Sequence, residues 1–350
     1  MSDVLTRIES GIGRITLNRP RALNALTLEM AETIAAALDA WEGDGTVRFV
    51  LLDGAGERGL CAGGDIRALY EAAKAGKARE NESFFRAEYQ LNAQIARYRK
   101  PVVALMDGIV MGGGVGLSAH ASHRVVTERS RVAMPETGIG FFPDIGATWL
   151  LSRARFEHGT HLALTGEAVG AADAIAVGLA DVHVPSEKLP ALIVALKDCE
   201  AAGLDSCLTT HTTSPAQGLF VEAQAWMTGC YQGDDVATIV ARLAAHEAPL
   251  AQAAAKTIAT RSPTSLKITL HALRTAEALG SLDACLDREF RMALVRTPGH
   301  DFVEGVRAAV VDKDRAPRWV PARLDAVTPA DVAAFFAAAD AKPPLWVNPR

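Results

Sequence analysis

The sequence predicts an α/β protein whose second half is mostly helical, and three observations carry that prediction. Short apolar segments of strand length recur between amphipathic segments of helix length through roughly the first half. Past about Trp149 the strand signals fade and helical ones dominate. Finally, 49% of the 350 residues are apolar, enough to bury a large core without disulfide or metal staples.

The elements follow in order. Gly13 to Leu17 is a short strand closed by Asn18-Arg19-Pro20, and Thr27 is placed to cap an amphipathic helix that runs to about Trp41. Phe49 to Asp53 is a buried strand ending in the turn-rich Gly54-Ala55-Gly56. One helix follows Asp65 and a longer one spans Phe84 to Arg97. Pro101 to Met106 is the next strand, followed by a glycine cluster and a helix from Val115 to Ala121. His123 to Thr127 and Arg131 to Ala133 are further short strands. Beyond them, Thr165 to Gly178 and Pro190 to Cys199 each read as one helix, and Ser262-Pro263-Thr264 opens another with Pro at its first position. Thr328-Pro329-Ala330-Asp331 starts a last helix that Lys342-Pro343-Pro344 stops. The expected division is an α/β core over residues 1–200 and a helical C-terminal region over residues 201–350 that packs on it.

Composition excludes several classes. Lys and Arg number 36 against 41 Asp and Glu, a formal charge of −5, so no basic surplus exists to neutralise nucleic-acid phosphates. No apolar run reaches membrane-spanning length, and Met1 to Ser10 lacks the pattern of a secretory or transit leader. The five cysteines, at positions 61, 199, 207, 230 and 285, include no C-x-x-C pair and read as free thiols. A soluble, cytoplasmic protein with no nucleic-acid or membrane partner is the expectation.

Four single motifs are set aside on mechanism. Gly54-Ala55-Gly56-Glu57-Arg58-Gly59 has the dinucleotide-loop spacing, but that motif needs a helix opening at its third glycine, and Leu60 to Gly64 interrupts it. The pairs His120/His123 and His158/His161 lack a third ligand at metal-site spacing and read as surface or packing histidines. Ser118 sits in an incomplete nucleophile-elbow pattern, and Cys61 has no basic activator beside it.

Three segments together do carry chemistry. Cys61-Ala62-Gly63-Gly64-Asp65 and Met111-Gly112-Gly113-Gly114 are glycine loops that each follow a strand. A loop entering a helix leaves unpaired N–H groups, and two such loops can aim one donor each at a single carbonyl oxygen as it becomes anionic. The third segment, Ala133 to Asp144, sets Glu136 and Asp144 in an otherwise apolar and glycine-containing loop, where a carboxyl group acquires a raised pKa suited to acid, base or nucleophile work.

These segments resemble the crotonase superfamily, whose members bind acyl-CoA thioesters. Asn18 to Leu26 is similar to its first CoA-contacting loop, Cys61 to Ile66 to its first oxyanion segment, and Met111 to Ser118 to its second. Phe84 to Asn92, Met134 to Glu136, Phe142 to Asp144, Ser262 to Lys267 and Gly299 to Arg307 resemble the thioester-hydrolase branch, so that the likeness runs from about residue 8 to Trp319. The resemblance implies a spiral of repeated ββα units with a helical C-terminal region. It assigns oxyanion N–H groups to Ala62 and Gly113, makes Glu136 the catalytic carboxylate with Asp144 as partner, and places Glu88, Gly63, Gly64, Asp65, Gly116, Arg21 and Leu23 around the substrate. It also implies no metal and no resident cofactor, since CoA enters as part of the substrate, and an assembly into trimers or hexamers. In the hydratase branch a second glutamate falls where this chain has Gly116, so the resemblance favours hydrolysis of a short 3-hydroxyacyl-CoA, with an enoyl-CoA hydratase/isomerase or a non-catalytic CoA-binding member as the alternative. The expected substrate is 3-hydroxyisobutyryl-CoA from valine breakdown, with 3-hydroxypropionyl-CoA second.

Overall fold

The computed structural model describes residues 2–346 and separates into two compact units that interleave along the chain. The first comprises residues up to Gly64, Gln90–Ala133 and Val169–Gly218; the second comprises Asp65–Tyr89, Met134–Ala168 and everything from Leu219. This replaces the expected cut at residue 200. Two early segments, residues 65–89 and 134–168, pack with the C-terminal helices, a long-range choice that local sequence does not record.

The first unit holds the nine strands found among the described residues: β1 (Val4–Glu9), β2 (Ile12–Leu17), β3 (Phe49–Gly54), β4 (Gly59–Cys61), β5 (Val102–Met106), β6 (Ile109–Met111), β7 (His123–Val126), β8 (Arg131–Ala133) and β9 (Val182–His183). A six-stranded sheet runs β1-β2-β3-β5-β7-β9, and a three-stranded sheet runs β4-β6-β8. Among the described residues, the pairings within these two sheets are parallel except the β1–β2 hairpin. Each of β3, β5 and β7 is thus followed at once by a short strand of the second sheet, which is the repeated ββ step that the resemblance implies. The sequence reading missed β4 and β6 because three-residue strands beside glycines carry no visible period.

Strand residues on both faces of the large sheet are buried, as parallel sheets require. On one face Phe49, Leu51, Val103, Leu105 and Val125 pack with Leu189, Leu192 and Leu196 of α8 (Leu189–Lys197) and Leu204 and Leu208 of α9 (Leu204–His211). Helix α1 (Leu28–Glu42) starts where expected, with the Thr27 hydroxyl accepting from the Met30 N–H at 3.2 Å. Helix α4 (Gly113–Ser118) begins two residues earlier than the periodicity suggested.

The second unit is helical: α2 (Ile66–Lys74), most of α3 (Ala78–Ala96), α5 (Ala147–Ser152), α6 (His158–Thr165), α10 (Phe220–Tyr231), α11 (Val236–Ala245), α12 (Pro249–Ala259), α13 (Pro263–Ala276), α14 (Leu282–Arg296), α15 (His300–Val306) and α16 (Pro329–Asp340). The single helix expected over Thr165 to Gly178 is two. Gly166 ends α6 at φ +65°, Val169 pairs with Val132, and a separate α7 (Ala171–Val177) follows in the first unit. Ser262 caps α13, and Thr328 with Asp331 forms a capping box on α16, both as read from the sequence. The tail then docks: Arg86 on α3 donates to the Pro344 carbonyl at 2.8 Å while its guanidinium lies over the Phe290 ring of α14.

Candidate active site

In the first unit, the glycine segments converge on one another. The loop before α1 turns through left-handed residues Leu23 and Asn24 at φ +53° and +55°. Buried Asn24 pins it, accepting from the Arg19 N–H at 2.9 Å and donating to the carbonyls of Ala55 and Gly59, each at 3.1 Å. This loop then runs beside the first glycine segment, with the Ala62 N–H donating to the Leu23 carbonyl at 3.0 Å and the Leu26 N–H to the Gly63 carbonyl at 2.8 Å. Gly63 has φ +110°, and a side chain there would meet the Met111 carbonyl oxygen at 3.4 Å and the Gly113 nitrogen at 3.7 Å. A side chain at Gly114 would lie 2.4 Å from the Cys61 carbonyl oxygen. At Gly114 only glycine lets the two loops come this close, while at Gly63 it is the backbone conformation that favours glycine.

This geometry corrects one assignment. The Ala62 N–H is spent on Leu23, so it is not available to an oxyanion. The Gly64 N–H, two residues on, and the Gly113 N–H, at the first turn of α4, have no acceptor among the described residues. They are the free donor pair. Other predicted residues fall into supporting roles here: the Leu23 carbonyl holds Ala62, buried Gly116 bonds back to Gly112 within α4, and exposed Arg21 offers its carbonyl to Arg58. Ser118 bonds the Gly114 carbonyl at 2.7 Å, as a helix residue and not a nucleophile. The dinucleotide reading of Gly54 to Gly59 fails as expected, because Gly59 opens β4 and no helix.

The second unit gathers the carboxylates. Glu88 lies on α3, Glu136 opens a single 3-10 turn over Glu136–Ile139, and Asp144 follows two stacked rings, Phe141 and Phe142, whose centroids are 4.5 Å apart. Phe85 stacks on Phe141 at 5.7 Å. All three carboxyl groups are buried, and one oxygen each of Glu88 and Glu136 has no hydrogen-bond partner. Burial pushes Glu136 well above the usual carboxylate range, with the charge of Asp144 adding to it. Glu88 is raised by the same two causes, and burial brings Asp144 up to about 7 against a stabilising hydrogen bond from Tyr89. Asp65, the remaining predicted residue, caps α2, its side chain accepting from the Ala68 N–H at 3.3 Å.

The loop carrying Glu136 and Asp144 is clamped at two points. Near its middle, Arg296 donates to the Gly140 carbonyl at 2.6 Å and to Ser262, Ser265 and Asp301 at 3.0, 3.0 and 3.2 Å. Gly140 has φ +72°, and a side chain there would stand 2.0 Å from the Asp301 carbonyl oxygen. The Ser262 and Gly299 segments, read from sequence as hydrolase-like, therefore hold this loop in place. Past Asp144, Glu289 of α14 accepts from the N–H groups of Gly146 at 2.6 Å and Thr148 at 2.9 Å. Sequence reasoning missed Tyr89, Glu289 and Arg296. A signal existed for the last two: both fall on the buried stripe of α14 with Cys285, Leu286, Phe290 and Ala293, where a charge is costly unless paired. His158 and His161 pack against Phe220, and burial drives His161 down to about 3.

Residues 12–336 match the enoyl-CoA hydratase/isomerase family. Among curated proteins, the chain is 43% identical over 343 residues to mitochondrial 3-hydroxyisobutyryl-CoA hydrolase of Rattus norvegicus, covering 96% of this chain and 89% of that protein. It is 42% identical over 342 residues to the Homo sapiens protein of the same name, covering 95% and 88%. Among solved structures, a carnitinyl-CoA dehydratase from Mycobacterium thermoresistibile superposes with TM-score 0.91 at 50% identity over 96% of both chains. An enoyl-CoA hydratase from Rhodobacter sphaeroides 2.4.1 superposes with TM-score 0.89 at 43% identity, over 96% of this chain and 97% of that one. The cytoplasmic expectation does not stand, because these curated relatives are named mitochondrial. Composition excluded membrane spans but carried no information on compartment.

Proposed function

Because the chain belongs to the enoyl-CoA hydratase/isomerase family, we propose that it hydrolyses acyl-CoA thioesters, with 3-hydroxyisobutyryl-CoA as substrate and valine breakdown as its setting. The observation that carries this reading is the pairing of buried Glu136, one oxygen unpartnered, with Asp144, while position 116 is a glycine with no carboxylate to offer. Hydration across a double bond calls on two glutamates; thioester cleavage needs one carboxylate, a donor pair and a means of recognising the acyl group. The names and 43% identity of the curated hydrolases support the same branch.

In this mechanism the thioester oxygen accepts from the Gly64 and Gly113 N–H groups, which stabilise it as it becomes an oxyanion. Glu136 either attacks the carbonyl carbon, expelling CoA thiolate and leaving a mixed anhydride that water then opens, or removes a proton from water that attacks directly. The thiolate leaves with a proton from water or a carboxyl group. Asp144 binds the 3-hydroxyl, and a buried polar group matched to a hydroxyl discriminates strongly against acyl chains that lack one. The groups needed are all side chains and backbone of this chain, so the reading calls for no resident cofactor.

Release of free thiol from 3-hydroxyisobutyryl-CoA, measured beside loss of crotonyl-CoA absorbance, tests it. Thiol release without hydration is expected. Hydration without thiol release would place the chain with the dehydratase and hydratase whose structures it resembles. A single turnover in oxygen-18 water separates the two chemical routes, since only the anhydride leaves label in the Glu136 carboxylate.

A further inference from the structure

Between Asp144 and α5 the backbone does something costly. Ile145, fully buried, has φ +57°, and Gly146 has φ +82°. A β-branched residue in the left-handed region is a true outlier, and such strain persists only where surrounding contacts over-determine it. Such contacts surround this turn. The Ala147 N–H returns to the Asp144 carbonyl at 2.8 Å, and the Glu289 carboxylate accepts the Gly146 N–H on one oxygen and the Thr148 N–H and hydroxyl on the other.

Glu289 is fully buried and makes no ion pair among the described residues. A buried carboxylate without a cation is expensive, and here its lone pairs are given to backbone and hydroxyl donors of one turn. We propose that Glu289 is a positioning residue for catalysis: it holds the left-handed Ile145–Gly146 turn and thereby fixes the Asp144 carboxyl group where Tyr89 meets it. The inference rests on the reading of Asp144 as part of the thioesterase site.

An amide is not an adequate substitute. Gln at 289 has one acceptor oxygen, and its NH2 group would face an N–H donor at either Gly146 or Thr148. The turn then loses a restraint on its strained side. A second consequence is electrostatic. The groups facing Asp144 are Tyr89 and Glu88 from α3, Glu136 from its own loop, and Glu289 from α14, with Arg288 acting on Glu289 from behind. Burial brings Glu289 itself up to about 7, and where it is ionised its charge raises Asp144, so its removal moves the limb of the rate profile that Asp144 governs to lower pH.

The test uses the full chain and thiol release. Glu289→Gln is expected to lower kcat by about 10²-fold with KM changed by no more than about twofold, since a misplaced group costs rate more than binding. Adding Ile145→Gly, which makes the left-handed turn inexpensive, should recover about tenfold of that loss. A merely structural Glu289 predicts the opposite, because the second change also opens a cavity and would deepen the loss. The proposal is overturned if Glu289→Gln keeps kcat within about twofold of wild type, or if Ile145→Gly recovers nothing. Should Glu289→Gln fail to fold, Thr148→Val carries the same test: removal of one hydroxyl donor should cost about fivefold, recovered by Ile145→Gly, and no loss would overturn the proposal. Asp144→Asn distinguishes the two levels. If it retains full thiol release, the reading of the site falls and the proposal with it; if it is inactive while Glu289→Gln is not, only the positioning role falls.

Discussion

The two units offer a ligand different kinds of chemistry. In the first, the groups on offer are the backbone N–H groups of Gly64 and Gly113, in loops that approach closely because Gly114 carries no side chain to meet the Cys61 carbonyl. In the second, they are carboxyl side chains buried among phenylalanine rings and held by a loop with two clamps. Backbone donors do not titrate and are disturbed by added volume. Buried carboxylates are perturbed by charge, by pH and by loss of the groups that position them. The donors of the first unit are therefore sensitive to sterics and the acids of the second to electrostatics.

The largest effect expected is at Glu136. Glu136→Gln should lower kcat for thiol release by about 10³-fold or more while CoA-thioester affinity, read by calorimetry, stays nearly unchanged. A silent variant would remove the second unit from the chemistry. Next comes Gly114→Ala, whose methyl would stand 2.4 Å from the Cys61 carbonyl oxygen and force the loops apart. A fall of about 10²-fold in kcat is expected from the lost donor geometry. If the variant is folded and fully active, the close approach of the loops is not what builds the donor pair.

Structural support separates the units further. Arg296→Met leaves Asp301 buried with no cation, and removing one partner of such a pair costs about 3–5 kcal/mol of stability. Denaturant unfolding reads this directly, and loss of activity should track it because Arg296 also holds the Gly140 carbonyl.

A pH comparison sharpens the electrostatic half. Asp144 has a folded pKa of about 7 against an ordinary value of 3.8, so the folded state binds the extra proton between those values. Its contribution to stability is full below about pH 4 and is lost as pH rises through about 7. Asp144→Asn removes that dependence. The variant should therefore gain thermal stability relative to wild type at pH 8 and gain least near pH 4, as read by the melting temperature across that range. A constant difference would mean that burial does not hold the Asp144 proton. The smallest effect is expected at exposed Arg21, where replacement by Ala should raise KM for an anionic CoA thioester by about threefold at low salt and by less at high salt.

Glycine and carboxylate positions were legible in the sequence because they break local pattern: glycines clustered after strands, and acids in an apolar loop. What was not legible was which N–H in the first glycine segment is free. Ala62 and Gly64 are equivalent as sequence, and only the strand-like pairing of that segment with Leu23 and Leu26 consumes the Ala62 donor. Helices with caps, such as those begun by Thr27, Ser262 and Thr328, were located closely, since a cap is a local hydrogen bond. Of the three-residue strands β8 was read and β4 and β6 were missed, since their existence depends on partners about 20 to 50 residues away.

By itself, then, the sequence determined the α/β character, the helical second half, the two glycine loops and the placing of two acids, Glu136 and Asp144, in an apolar loop. Each of these is written in composition, period or spacing. Tertiary structure alone decided that residues 65–89 and 134–168 join the C-terminal helices, that Gly64 takes the place of Ala62, and that Glu289 and Arg296 brace the acidic loop. Those outcomes depend on which groups meet across 39 residues, as for Ala62 and Leu23, or 156, as for Arg296 and Gly140, and a buried donor or acceptor finds its partner only when the chain has closed around it.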